Sequence, residues 1–194
     1  FVDTLEWRQG LYVAKFDSSG NLLISNLIPD PLGGALSMDQ HYGKMSKVSD
    51  GGYAFTAAPL ERKGAVLIKV SSNLEVEFIY EYPDTINLCH FLYYEPLEID
   101  NGYLMCGAIQ RPNYLKNPFV RRVNKSGHTI WFKYFGNYDS NEGFNTLARA
   151  HDSLFVFGGV GINEPGNAYS IIKYIDLEGN IIREWRSEDN PEIG

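Results

Sequence analysis

The chain is short of almost every feature that marks a particular chemistry. Its 194 residues include two cysteines, too few for a disulfide-built scaffold. No run of Lys or Arg exceeds two residues, and 17 Lys+Arg stand against 24 Asp+Glu for a net charge of −7. With a pI near 5.1 there is no basic stripe for a nucleic acid, so no nucleic-acid partner is expected. No apolar run approaches the ~18–20 residues that a membrane-spanning helix needs, so no membrane insertion by this segment is expected. No window of a dozen residues carries a helical stripe capped at both ends. What is present is 44% hydrophobic and 14% aromatic residues with 21% charged. That is enough for a packed core and rules out a disordered chain.

The chain repeats itself. A short turn precedes an apolar strand at Asp50-Gly51-Gly52-Tyr53, at Asp100-Asn101-Gly102-Tyr103 and at His151-Asp152-Ser153-Leu154, with third positions 50 and 51 residues apart. A second marker is a basic residue, an apolar residue, a turn and a new strand. It occurs at Lys15-Phe16-Asp17-Ser18-Ser19-Gly20, Lys69-Val70-Ser71-Ser72-Asn73, Arg122-Val123-Asn124-Lys125-Ser126-Gly127 and Lys173-Tyr174-Ile175-Asp176-Leu177-Glu178-Gly179. Taking Gly20, Asn73, Gly127 and Gly179 as equivalent gives intervals of 53, 54 and 52.

Between the markers lie short runs rich in β-branched and aromatic residues, with Gly, Asn and Asp in the turns, which read as strands. Each complete unit holds four: roughly 42–49, 53–58, 65–70 and 74–81, then 91–99, 103–109, 118–123 and 128–135, then 144–150, 154–160, 168–175 and 180–186. Four antiparallel strands per ~50-residue unit, repeated, predict a β-propeller. A sandwich of unrelated strands has no reason to keep its turn chemistry at a fixed interval.

The Asp-Gly-Gly-Tyr turn, the Lys-x-Asp-x-x-Gly segment and the strand Trp131-Phe132-Lys133-Tyr134-Phe135-Gly136 together resemble a secreted β-propeller repeat of the Bacteroidetes. The resemblance covers nearly the whole chain. The second and fourth units depart from it in the last strand, at Phe78-Ile79-Tyr80-Glu81-Tyr82 and Arg183-Glu184-Trp185. It implies an exported or cell-surface protein, in the setting of an outer-membrane or type IX secretion-related complex, and names no activity.

Counting back from Lys15 puts the start of the first unit's second strand before residue 1, so Phe1 is expected inside or just after a strand. The expectation is one propeller segment over 1–194, with a partial blade at about 1–30 and blades at 31–83, 84–137 and 138–190. Three and a half blades leave exposed faces, so further blades are expected elsewhere. The alternative is a complete four-bladed domain with a degenerate first blade.

In such blades the strand 1–2 and 3–4 turns share one face, and the strand 2–3 loops and crossovers share the other. The second set is longer: Pro59–Gly64, Gln110–Pro118, Gly161–Ala168, Asp30–His41, Pro83–His90 and Asn137–Gly143. Loops on a rigid scaffold carry binding function, so the candidate binding residues are His41, His90, Arg111, Tyr114, Asp139, Glu142 and Glu164.

Specific chemistries find little support. Cys89-His90 stands without a C-x-x-C or similar partner pattern, so neither a metal nor another cofactor is expected. No Gly-x-Ser-x-Gly elbow exists. Paired carboxylates for glycan hydrolysis would come from Glu95, Glu98, Asp139, Glu142 and Glu164. A hairpin at Asp100–Tyr103 pairs residues whose indices sum to 203, setting Cys106 opposite Leu97 and away from Cys89. Two free thiols and no disulfide are expected. Asp-Ser/Thr steps followed by an aliphatic residue, which Bacteroidetes-type export marks for O-glycans, occur at Thr4, Thr85 and Ser153. The expected function is a non-enzymatic, exported or cell-surface scaffold for a protein partner. The alternative is a glycan-binding or glycan-cleaving propeller with carboxylates at its central channel.

Overall fold

The computed structural model describes residues 10–38, 45–60, 64–83, 89–92 (backbone alone), 95–110, 115–136, 141–162 and 166–187. These residues are all-β, in four antiparallel sheets that follow one another along the chain. The first sheet pairs β1 (Gly10–Phe16) with β2 (Leu22–Pro29). The second holds β3 (Leu36–Ser37), β4 (Met45–Lys47), β5 (Tyr53–Pro59), β6 (Gly64–Val70) and β7 (Val76–Pro83). The third holds β8 (Cys89–Leu92), β9 (Leu97–Ile99), β10 (Gly102–Gln110), β11 (Lys116–Asn124) and β12 (Thr129–Tyr134). The fourth runs in order through β13 (Asn141–His151), β14 (Leu154–Ile162), β15 (Ala168–Asp176) and β16 (Ile181–Arg186).

The expected strands are present, with one systematic difference. The first lane of the second and third sheets is broken: β3 and β4 both pair with β5, and β8 and β9 both pair with β10. The register at this lane also differs from the sum of 203. Gly102 faces Ile99 and Leu104 faces Leu97, a slip of two residues, and Cys89 stands opposite Gln110. The turn closes on Ile99 because β9 buries that side chain. Cys106 is a free thiol, fully buried.

Side-chain alternation divides the core into layers, one between each pair of successive sheets. On β5 and β6, Phe55, Val66 and Ile68 turn toward Val13 and Ile28 of the first sheet. Ala54 and Leu67 turn the other way, toward Tyr103, Met105 and Val123 of the third. Leu104, Cys106 and Val120 then meet Phe144, Phe155, Phe157 and Ile171 of the fourth. A sheet covered on both faces reads as a continuous apolar run. Hence β6, GAVLIKV, is buried along its whole length. Each large apolar side chain so buried contributes about 1.5–3 kcal/mol.

The turns joining the last two strands of each sheet are copies of one another. In all four, the residue at the first position and the one three residues on close a tight backbone turn: Asp17 with Gly20, Ser71 with Leu74, Asn124 with Gly127, Asp176 with Gly179. The first side chain accepts backbone N–H groups further along the turn, as Asp17 Oδ1 does from Ser19 and Asn21 at 2.8 and 2.9 Å, and Asn124 Oδ1 from Ser126 and His128 at 3.0 and 2.9 Å. The fourth residue has a left-handed backbone, with φ of 83° at Gly20, 61° at Leu74, 86° at Gly127 and 76° at Gly179. The glycine position of the second unit is therefore Leu74, not Asn73. Its apolar side chain is buried against the first sheet, which holds it in a conformation that asparagine would have adopted more readily.

Each of these carbonyls on the second, third and fourth sheets is latched by the last strand of the sheet before. Asn26 Nδ2 on β2 donates to the Leu74 carbonyl at 2.9 Å. The Tyr82 hydroxyl on β7 donates to the Gly127 carbonyl at 2.7 Å. Lys133 Nζ on β12 donates to the Gly179 carbonyl at 3.2 Å, beside Trp131 Nε1 on the Leu177 carbonyl at 3.1 Å. Three junctions, one joint.

Candidate functional site

The antiparallel order puts the short turns at one end of the sheets and the longer connections at the other. Of the residues expected at that second end, His41, Arg111, Tyr114, Asp139 and Glu164 lie outside the described residues, as do Thr4 and Thr85. His90 lies on β8 with its backbone opposite Ile109. Ser153 is exposed in the β13–β14 turn, at the opposite end. Glu142, expected on a loop, lies inside β13 and is 1% exposed.

The surroundings of Glu142 explain why the strand extends to take it in. Glu142, Gly161 and Tyr169 stand opposite one another on β13, β14 and β15. At Gly161 an added Cβ would fall 2.2 Å from Tyr169 Cζ. The missing side chain is the space through which the Tyr169 ring crosses β14, and its hydroxyl donates to Glu142 Oε1 at 2.5 Å. Arg186, from the end of β16, places Nη1 3.0 Å from the same oxygen and its guanidinium over the Tyr169 ring, 5.5 Å from the centroid.

A second carboxylate continues the chain of charges. Glu184 accepts from Arg186 Nε at 2.7 Å and from Lys173 Nζ at 2.9 Å, and Lys173 Nζ also donates to the Phe135 carbonyl at 2.6 Å at the end of the third sheet. Burial works against the Glu184 charge, but the hydrogen bonds from Lys173 and Arg186 outweigh it and hold the carboxyl below its usual range. Burial likewise works against Arg186, and Glu184 and Glu142 together outweigh it, so its pKa lies above normal. Two carboxylates and two cations thus close into a neutral cluster that spans β13 to β16. Glu142 Oε2, also buried, has no donor among the described residues.

Chemically, this cluster stitches strands together. A general acid, base or nucleophile must reach its substrate, and Glu142 is closed off by Tyr169 and Arg186. Among the described residues, no three of His, Cys, Asp and Glu stand close enough to hold a metal ion. No helix of these residues is long and apolar enough to cross a membrane. At the short-turn end, a cleft of about 60 Å³ between the third and fourth sheets is lined by Asp100, Arg122, Arg149, Asp152 and Phe155. It has room for a few water molecules, well below the several hundred Å³ of a small-molecule site. No local pattern marks the partners of Glu142: Tyr169 and Arg186 sit 27 and 44 residues away and meet it through sheet register alone.

No family model matches the chain, and no curated protein matches it. Among solved structures it is similar to the subtype N10 neuraminidase-like protein of A/little yellow-shouldered bat/Guatemala/060/2010, with a TM-score of 0.51 and 11% identity over 91% of this chain and 50% of that one. The likeness is one of fold: successive antiparallel sheets packed face to face as in a β-propeller. The chain spans half the length of that protein.

Proposed function

We propose that this chain is a non-enzymatic β-propeller segment of three and a half blades with a repeat of about 50–53 residues. In this reading it is exported or displayed at the cell surface and holds a protein partner through its long-loop end. The observation that carries the reading is the fate of Glu142. The one loop-end candidate carboxylate with a described side chain is committed to Tyr169 and Arg186, so it braces the scaffold below the loops and leaves recognition to them. Rigid sheets presenting variable loops are a common basis for binding without chemistry. The turn motifs shared with secreted Bacteroidetes repeats support export, and an outer-membrane or type IX secretion-related assembly is the setting in which the partner is sought. Thr4, Thr85 and Ser153 are the proposed O-glycan positions.

The test is residue-specific photo-crosslinking on the producing cell, with the crosslinker at His41, His90, Arg111 or Tyr114 and, as control, at Ser19 on the short-turn end. Discrete adducts from the loop-end positions alone are expected. Adducts from Ser19 alone, or none from any position, overturn the face assignment. Release of sugar from a fluorogenic neuraminic acid glycoside, lost in Glu142→Gln, would overturn the non-enzymatic reading.

A further inference from the structure

Arg121 on β11 is a guanidinium held in place and left without a counter-charge. Its central carbon lies 4.4 Å from the centre of the Tyr82 ring on β7 and 4.4 Å from that of Phe132 on β12, so it is held by one ring of the second sheet and one of its own. Both rings are fixed in turn. The Tyr82 hydroxyl is tied to the Gly127 carbonyl at 2.7 Å, and Phe132 packs on Phe119 and Tyr134 with ring centres 5.2 and 4.9 Å apart.

Cations elsewhere in the sheets meet carboxylates: Lys69 meets Glu77, Lys125 meets Glu98, Lys173 meets Glu184 and Arg186 meets Glu142. Arg121 meets none among the described residues. Its Nη1 donates to Thr129 Oγ1, a neutral acceptor, at 2.7 Å, and its other N–H groups find no acceptor among those residues. Burial works against the charge and prevails over the hydroxyls of Tyr82, Tyr134 and Tyr80, holding the pKa below its ordinary value. A cation drawn partly out of water without a partner is costly. An oxyanion brought to it relieves that cost through charge-assisted hydrogen bonds, which a guanidinium makes two at a time.

The surroundings are aromatic and open. His128 and Thr129 are exposed, the His128 ring stands edge-on to Tyr80 at 4.8 Å, and Tyr134 is 43% exposed. An arginine among tyrosines is the residue content of a hot spot in a protein interface, and an arginine already held by rings loses little further rotamer freedom on binding. Strand β12, which carries Phe132 and Tyr134, is the last of its sheet, so a partner approaching there meets no further strand of that sheet. The net charge of −7 repels a polyanion at a distance. One or two carboxylates among apolar residues suffer little of that repulsion.

We infer that the rim between the second and third sheets docks a protein segment that places an aspartate or glutamate carboxylate on the unpaired N–H groups of Arg121, with apolar side chains against Tyr134 and His128. The loop-end residues take no part, so this docking and the loop-end reading can each fail without the other.

Nuclear magnetic resonance of the arginine Nε–H groups in the whole isotope-labelled chain tests it, with the Arg121 signal identified by its loss in Arg121→Lys. The probe is the blocked peptide Gly-Leu-Glu-Leu-Glu-Gly. Its controls are the same peptide with glutamine in place of glutamate, and a hexamer of galacturonic acid. The glutamate peptide is expected to shift the Arg121 signal at millimolar concentration and the glutamine peptide to leave it in place. Fluorescence anisotropy of the labelled glutamate peptide then compares variants. Arg121→Lys keeps the charge but loses the paired donors, and Tyr134→Ala removes an exposed ring; each is expected to weaken binding on the order of tenfold. Far-UV circular dichroism checks that both fold, and the exposed position of Tyr134 keeps the test decisive if Arg121→Lys does not. No shift at about 5 mM peptide, equal shifts from the two peptides, a shift from the galacturonic acid hexamer as large as that from the glutamate peptide, or unchanged affinity in either folded variant would each overturn the proposal.

Discussion

Tyr169 reaches Glu142 across a neighbouring strand, through the space that Gly161 leaves empty. Strand β14 carries a residue without a side chain at the point where its neighbours must touch, and the bond depends on that absence.

Gly161→Ala is therefore expected to cost more than a glycine substitution in a strand ordinarily does. The added methyl overlaps the Tyr169 ring, so the ring must leave and Glu142 loses one of its two partners. Tyr169→Phe removes the hydroxyl and keeps the packing, with an expected loss of about 1–3 kcal/mol. The double variant should cost less than the sum of the two, since each breaks the same bond. Chemical denaturation of the three variants checks this.

Leu74→Gly sets two effects against each other. Glycine relieves the left-handed backbone, gaining about 1–2 kcal/mol, and gives up a side chain 3% exposed, losing about 2–5 kcal/mol. Burial wins, so a net destabilisation of about 1–3 kcal/mol is expected in denaturant titration. A gain in stability would show that the Leu74 side chain contributes little to the first inter-sheet core.

Stability should fall on the alkaline side. Burial raises Tyr103 to about 12, aided by the charges of Glu98 and Asp50, and raises Tyr82 still further. Both lie above the ordinary value of 10.0, so their contribution is complete below pH 10 and is lost as pH rises from there through the folded values. Tyr82→Phe is expected to flatten that decline and to cost stability at neutral pH through the unmatched Gly127 carbonyl.

The acid side has the opposite sign. Asp50 is held below its usual value by the Lys69 hydrogen bond. Glu98 is held below its own by Lys125 and Ser49, which outweigh its burial. Their contribution is present above the ordinary values of 3.8 and 4.5 and is lost as pH falls below them. Glu98→Gln should shrink the acid limb of a pH–stability curve. An unchanged limb would show that the bridge from Glu98 to Ser49 does not hold in solution.

Cys106 should resist alkylation in the native protein. Burial alone pushes its thiol well above the ordinary value, and no thiolate forms while the third inter-sheet core is closed. Peptide mapping after iodoacetamide treatment is expected to show modification at Cys106 only when denaturant is added.

The turns and strands were legible because local chemistry makes them. Asp17, Asn124 and Asp176 announce their turns by pairing an acceptor side chain with a glycine three residues on. Leu74 escaped because packing, a distant influence, overrides backbone preference there. The slip of two residues at β9 escaped because a hairpin register depends on which side chain is buried, here Ile99. Glu142 looked like a loop residue because its neutralising partners lie on β15 and β16, and no local pattern ties a glutamate to an arginine 44 residues away.

The acceptor at every sheet-to-sheet joint is a main-chain carbonyl in a turn of fixed shape. Donors as different as Asn26, Tyr82 and Lys133 serve equally, because what they recognise carries no side-chain identity. A unit duplicated within the gene would arrive already fitted to its neighbours, before any residue had changed. The array is thus free to lengthen or shorten by whole units, and its sequence to drift while its assembly does not.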